Sequence, residues 1–376
     1  MAEWHTRAYS LDGNGGMTLL DGDVVATAQP SRELSGPGAI SLTVAPEQDI
    51  ELTPWKTVLV VELDGSIRGA GVISDMVDDG NGSLSVTCTG PLGYLDPLPA
   101  DVEWVFQDKD PASVIRRAVS WAQSRGGTDV GLRLGEYEDT GVRIGLPEPE
   151  VLRPLPPGAT DQEREERARA IDEAKYRVQW WENPTIGGVV DDMAKHVEYR
   201  TNVKWADSEK SRPIFTLDLA KHLGARKDRL RFVVGENVIQ PPPVDWAGES
   251  YATKVTFLGA GEGRKMIRAT VTGKRNGLAR HVFISDQSVR SKPLALRRAR
   301  RALAWRQAMP QITELVVRDM DNAPFGSFDV GDEVRLIDQT GRWAGTIDMW
   351  VRILSITETT ESATATLTVT RADIGE

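Results

Sequence analysis

Apolar and polar positions alternate with period two in several short stretches of the first hundred residues, the pattern of half-buried strands. Ala39-Ile40-Ser41-Leu42-Thr43-Val44 is one such stretch. Lys56–Leu63 (KTVLVVEL) predicts a strong strand, stopped by Asp64-Gly65. That Asp-Gly, followed by Ser66–Ile73, predicts a hairpin. Asp79-Gly80-Asn81-Gly82 predicts another, leading into Ser83–Thr89. Short strands with turn signals at close spacing point to a barrel or a sandwich.

The period changes at Asp108-Lys109-Asp110-Pro111. Asp110 is placed to cap a helix with Pro111 at its first position. Val114, Ile115, Ala118, Val119 and Ala122 then recur at helical spacing, and Gly126-Gly127 ends the run. Residues 135–160 are rich in proline. Asp161–Asp172 is densely charged and predicted helical, whereas Tyr176–Trp180 alternates as a strand does. Asn183-Pro184-Thr185 predicts the start of a further helix running to Val197. The block 106–210 is therefore expected to be helix-rich, with a proline-rich and charged excursion at 135–175.

From Arg212 the strand pattern returns, at Ile214–Leu219, Arg229–Val234, Ala252–Leu258, Met266–Val271 and His281–Ile284. Pro293–Ala308 predicts a basic amphipathic helix. Ile312–Val317, Glu333–Ile337, Trp350–Ile356 and Ala363–Val369 complete a β-rich tail. The expected fold class is a β-rich α+β multidomain chain, divided at 1–105, 106–210 and 211–376.

Composition narrows the function classes. A chain of 376 residues with 40% hydrophobic and 27% charged residues supports two or three domains with buried cores. No run of about 18 apolar residues is present, so no membrane insertion is expected. The first residues lack the pattern of a signal peptide, which predicts synthesis and folding in a cytoplasm. The one cysteine, Cys88, excludes intrachain disulfides and thiolate metal sites and is expected to be a small buried hydrophobe. The net charge of −10 argues against tight DNA binding. Eleven tryptophans suit a chain with extensive contact surfaces. Trp55 and Val60 are expected to be buried.

Catalytic motifs fall away on inspection. His196-Val197-Glu198 matches half of a zinc deaminase signature, whose cysteine half cannot exist here. Gly248-Glu249-Ser250-Tyr251-Ala252 approaches the nucleophile elbow but lacks its strand–helix context. Gly259-Ala260-Gly261-Glu262-Gly263 precedes a predicted strand and not a helix, so it reads as a hairpin turn, not a phosphate cradle. The chain is expected to be no enzyme and to use no cofactor or metal. The basic helix carries the strongest local functional hint. Arg297, Arg298, Arg300, Arg301 and Trp305 form a candidate interface or lumen surface, for DNA or an acidic partner. The competing reading is a solvated face paired with neighbouring acids.

Three stretches together resemble tail hub proteins of siphophages, in particular minor tail proteins of actinobacteriophages. They are Trp55–Gly65 with Arg68–Ile73, Leu84–Gly90 and Tyr94-Leu95, then Asp110–Arg117 with Trp121, and finally Phe328-Asp329-Val330-Gly331-Asp332-Glu333-Val334-Arg335-Leu336. The resemblance implies two hub-type β-barrels, at 1–105 and 211–376, around a helix-rich insertion, with helix 293–308 inserted in the second. It implies a homotrimeric ring at the tail tip of the virion, joining the distal tail protein to tip or fibre proteins. The ring would surround the channel for tape-measure protein and for transient, non-specific passage of DNA. The alternative is a carbohydrate-binding tail module recognising the host wall through exposed Trp4, Trp104 or Trp343.

Overall fold

The computed structural model describes residues 3–45, 50–80, 82–147, 149–156, 158–246, 251–275, 277–287, 289–308, 311–341 and 345–372. The N-terminal module consists of β1 (Trp4–Leu11), β2 (Met17–Asp21), β3 (Ala26–Glu33), β4 (Ala39–Val44), β5 (Thr57–Leu63), β6 (Ser66–Asp78) and β7 (Leu84–Thr89). Their antiparallel order is β2-β1-β5-β6-β7-β4-β3. The pleat explains β4, in which Ile40, Leu42 and Val44 are buried and the residues between them exposed. All seven residues of β5 are buried. Val58 and Val60 face the helices of the middle region, while Leu59 and Val61 face the module's own core. A strand covered on both sides reads as a continuous apolar run, as KTVLVVEL does.

The middle region follows as α1 (Pro91–Leu95), β8 (Glu103–Phe106), α2 (Pro111–Gln123), β9 (Leu132–Leu134), α3 (Pro149–Leu152), α4 (Asp161–Glu173), β10 (Tyr176–Gln179), α5 (Ile186–Ala194), β11 (Glu198–Trp205) and β12 (Pro213–Ala220). Asp110 caps α2 as the sequence predicts. Its Oδ1 accepts the Ala112 N–H at 2.8 Å, and its Oδ2 accepts that of Thr140 at 2.6 Å. Helix α4 opens with a capping box between Thr160 and Glu163 and buries no residue. Helix α5 begins two residues later than expected: Thr185, not Asn183, is its cap. Asn183 instead ends a short 3-10 turn in the left-handed region, at φ 51°.

The C-terminal region contains β13 (Arg226–Val233), then β14 (Lys254–Leu258), β15 (Arg268–Thr272), β16 (His281–Ser285) and α6 (Lys292–Gln307), and finally β17 (Glu314–Arg318), β18 (Glu333–Asp338), β19 (Ile347–Thr359) and β20 (Thr364–Arg371). Strands β14–β16 form their own sheet, in the order β15-β14-β16, and α6 covers one face of it around Val255, Phe257, Ala295, Ala299 and Leu303. The expected inserted helix is thus part of an inserted unit with a separate core. Asp245 and Gln311 exchange backbone hydrogen bonds of 2.9 Å, so the chain leaves the frame and returns to it at one point.

The two expected barrels are replaced by one continuous twelve-stranded sheet. The long strand β19 joins the halves. It pairs with β18 along Ile347–Arg352, and its Ser355–Thr357 segment pairs with Glu33–Ser31 of β3. A register shift between Ile353 and Ser355 marks where it passes from one half to the other. Among the described residues no ladder closes either half into a barrel. The 210/211 division falls inside the β11–β12 hairpin, and β12 also pairs in parallel with β9. Sequence patterning missed β1 to β3, β8, β9 and β11. These strands are short or carry polar and proline residues, such as Pro30 in β3, that blur the alternation.

Val60 is fully buried, as expected, but Trp55 is half exposed and has φ 60°. It stacks on Tyr94 at a turn and does not enter the core.

Candidate interfaces: an ionic junction and a basic inserted unit

Three regions of the chain meet at a set of buried or half-buried ion pairs. Arg68, on β6, is buried and donates to both carboxylate oxygens of Glu358 on β19, the longer bond being 2.8 Å. Arg32, on β3, reaches the same Glu358 at 3.0 Å and Asp329 at 2.9 Å. Arg200, on β11, approaches Asp329 and Asp218, each at 3.6 Å, and donates to the Val330 carbonyl at 3.3 Å. Arg32, Arg68, Arg200 and Asp329 line a cleft of about 170 Å³ here. These pairs join the N-terminal, middle and C-terminal regions across the cleft. Glu358 lies on β19, where buried and less buried positions alternate, so it is a charge on the buried face. That was the signal in the sequence, but it does not name the partner.

Two further clasps flank this junction. Glu62, the one carboxylate in β5, is fully buried and accepts from Arg7 at 2.9 Å and Lys210 at 3.0 Å. Burial acts to raise its pKa, and the hydrogen bonds from Lys210 and Arg7 outweigh burial and hold it below 4.5. Lys210 belongs to the β11–β12 turn, whose carbonyl also accepts from the Tyr9 hydroxyl at 2.9 Å. Trp205 Nε1 donates to the Gly65 carbonyl at 3.1 Å. On the other side, Arg352 grips Glu198 through two bonds of 2.7 and 2.6 Å and donates to the carbonyls of Leu223 and Gly331. Burial pushes the Glu198 pKa up, but Arg352 and the Leu223 N–H bring it down below 4.5.

Backbone contact makes the same seam tight. A Cβ on Gly224 would lie 2.2 Å from the carbonyl carbon of Gly331, and both residues have φ near +90°. Asp332 accepts the Asp329 N–H at 2.9 Å and also the Ala225 N–H at 2.9 Å. The Gly-Asp pair therefore holds the start of β18 against the segment leaving β12.

The candidate residues from the sequence all lie on α6. Ala295, Ala299 and Leu303 seat the helix on its sheet, which turns Arg297, Arg298, Arg300 and Arg301 outward. Arg298 pairs with Asp286. Arg297, Arg300 and Arg301 make no ion pair among the described residues. Trp305 is 39% exposed, with the Arg306 guanidinium 5.7 Å from its ring centre.

His196 follows α5, where partial burial of its ring, Arg298 and Lys195 hold its pKa below 6.5. No group of three or more His, Cys, Asp or Glu side chains suited to a metal ion occurs among the described residues. The Cys88 thiol is buried and its pKa is pushed up to about 12. Residues 248–250 of the elbow-like sequence, and Trp343, lie outside the described residues. Of the other two proposed sugar-binding tryptophans, Trp104 is buried in the middle core against Trp121 and Phe106, and Trp4 is partly buried. Among the described residues the exposed tryptophans are instead Trp180 and Trp181, an edge-to-face pair 5.6 Å apart, with Trp246, Trp55 and the Trp305 of α6. No helix of the described residues is long and apolar enough to cross a membrane.

No protein-family model matches the chain, and no curated protein sequence does. Solved structures do. The 43 kDa tail protein of prophage MuSo2 from Shewanella oneidensis superimposes over 100% of both chains, with a TM-score of 0.62 at 14% identity. A tail protein from Neisseria meningitidis MC58 matches over 98% of this chain and 97% of its own, with a TM-score of 0.59 at 12% identity. The chain has the fold of prophage tail proteins. A third such structure, prophage tail protein gp18 from Listeria monocytogenes EGD-e, matches over 97% and 94% of the two chains, with a TM-score of 0.52 at 12% identity. At such identities the side chains differ almost everywhere, so the common feature is the path of the backbone.

Proposed function

We propose that this chain is a structural component of a bacteriophage tail tip, the hub of a siphophage-type tail. Three copies form a ring that links the end of the tail tube to tip or fibre proteins and surrounds the channel for tape-measure protein and DNA. The observation that carries the reading is the end-to-end match to prophage tail proteins. The ion-pair clasps support it. A ring subunit transmits load between neighbours, and Arg68, Glu62 and Arg352 tie the three regions of one chain into a single stiff body. Exposed Trp180 and Trp181 supply the rigid aromatic surface that protein interfaces favour.

Sedimentation velocity of the purified chain, alone and mixed with the distal tail protein of the same phage, tests the reading. A trimer, alone or on mixing, is the expected result. A chain that stays monomeric in both conditions and binds or digests isolated host cell wall would sink it.

A further inference from the structure

Charge is divided sharply between the inserted unit and the rest of the molecule. Residues 251–308 carry fourteen Lys and Arg against two Asp and Glu, a formal charge of +12. The whole chain stands at −10, so the remainder is −22. The division is physical as well as numerical, because the unit has its own sheet, its own helix and its own core.

The exposed face of α6 is where this charge is least compensated. Arg297, Arg300 and Arg301 stand at i, i+3 and i+4, which places them as neighbours about 5–6 Å apart on one helix face. The basic row extends past both ends of the helix. Gln307 donates to the Lys274 carbonyl at 2.8 Å and so holds the Lys274–Arg275 turn at the C-terminal end, while Arg290 and Lys292 lead into the N-terminal end. The centre of this face is guanidinium, and no carboxylate pairs with Arg297, Arg300 or Arg301 among the described residues. Regularly spaced phosphates are the ligand that such a row matches.

We infer that the inserted unit is a weak, sequence-indifferent binding surface for duplex DNA, with Arg297, Arg300 and Arg301 on backbone phosphates. The acidic remainder repels phosphate and confines contact to this unit. The sum is attraction at one place and repulsion elsewhere, which suits a polymer that must be touched and then released. The inference deepens the tail reading by naming a surface for passing DNA, but its test uses naked duplex and does not depend on ring formation.

Fluorescence anisotropy of a short labelled duplex with the full chain provides that test. At about 50 mM salt the expected dissociation constant lies in the micromolar range, weakening steeply by about 200 mM. Replacing all three residues (R297E/R300E/R301E) is expected to weaken binding tenfold or more. The neutral version, R297Q/R300Q/R301Q, is expected to make the slope of log affinity against log salt shallower by roughly 2 to 3, since each phosphate contact contributes about 0.9. Circular dichroism checks that both variants fold, and the glutamine version serves if the glutamate version does not. Absence of binding at low salt, or binding indifferent to the glutamine substitutions, overturns the inference. So does a wild-type chain that ignores duplex but self-associates at low salt through these arginines, which would assign the surface to the acidic face of a second copy.

Discussion

Arginine does opposite work in two regions of this molecule. At the junction, Arg68, Arg32 and Arg352 are withdrawn from solvent and bound to carboxylates from strands hundreds of residues away in sequence. On α6, Arg297, Arg300 and Arg301 stand in solvent with no ionic partner among the described residues. The first set costs desolvation and repays it only through geometry, so its value lies in specifying how the regions dock. The second costs almost nothing in stability, so it is free to be selected for what it touches. The same side chain thus marks structure where it is buried and a candidate surface where it is not.

Breaking the buried set should have the largest effect. Arg68→Ala leaves Glu358 buried with only Arg32 as its cation, and a loss of about 3 kcal/mol is expected in chemical denaturation. Replacing both partners with apolar residues, Arg68→Met with Glu358→Leu, should cost less than the single change. If the single variant is as stable as the parent, the junction is not what holds the regions together.

Acid sharpens the contrast. Glu62 and Glu198 have folded-state pKa values below their usual 4.5. Their contribution is therefore complete above that pH and is lost as the pH falls through 4.5 towards the depressed values. Hydrogen exchange at pH 7 and near pH 3.5 should show protection falling first at the β11–β12 hairpin and β19, with α6 unchanged. Loss that begins in α6 would contradict the assignment.

The smallest effect on the frame should come from removing the inserted unit altogether. Asp245 and Gln311 face each other, so a short glycine-serine bridge in place of residues 246–310 should leave the melting temperature of the frame within a few degrees of the parent. Unfolding of the shortened protein would mean that the unit's core is part of the frame after all.

Much of the local structure was readable in the sequence because its causes are local. Asp110-Pro111 announces α2, the alternation of residues 39–44 announces β4, and the apolar run ending at Leu63 announces β5. Helix α6 and its basic face were legible for the same reason, as was the burial of Cys88. The strands that escaped notice, such as β1, mix Arg7 and His5 with Ala8 and Tyr9. Their alternation is hidden because each face meets a different neighbour. Trp55 shows the converse error, since a large aromatic side chain at a turn can lie outside the core it adjoins.

Residue order alone thus determined the helices and strands with strong periods, the turn glycines, the single thiol's fate and the concentration of positive charge between residues 251 and 308. Only the tertiary structure decided that β19 would pair with β3, that two halves would share one sheet and not form two barrels, and which arginines would be clasped. Strand partners and ion pairs separated by some three hundred residues leave no mark on their own neighbours in sequence. They are selected by the geometry of the assembled core, where a misplaced charge has one place to go.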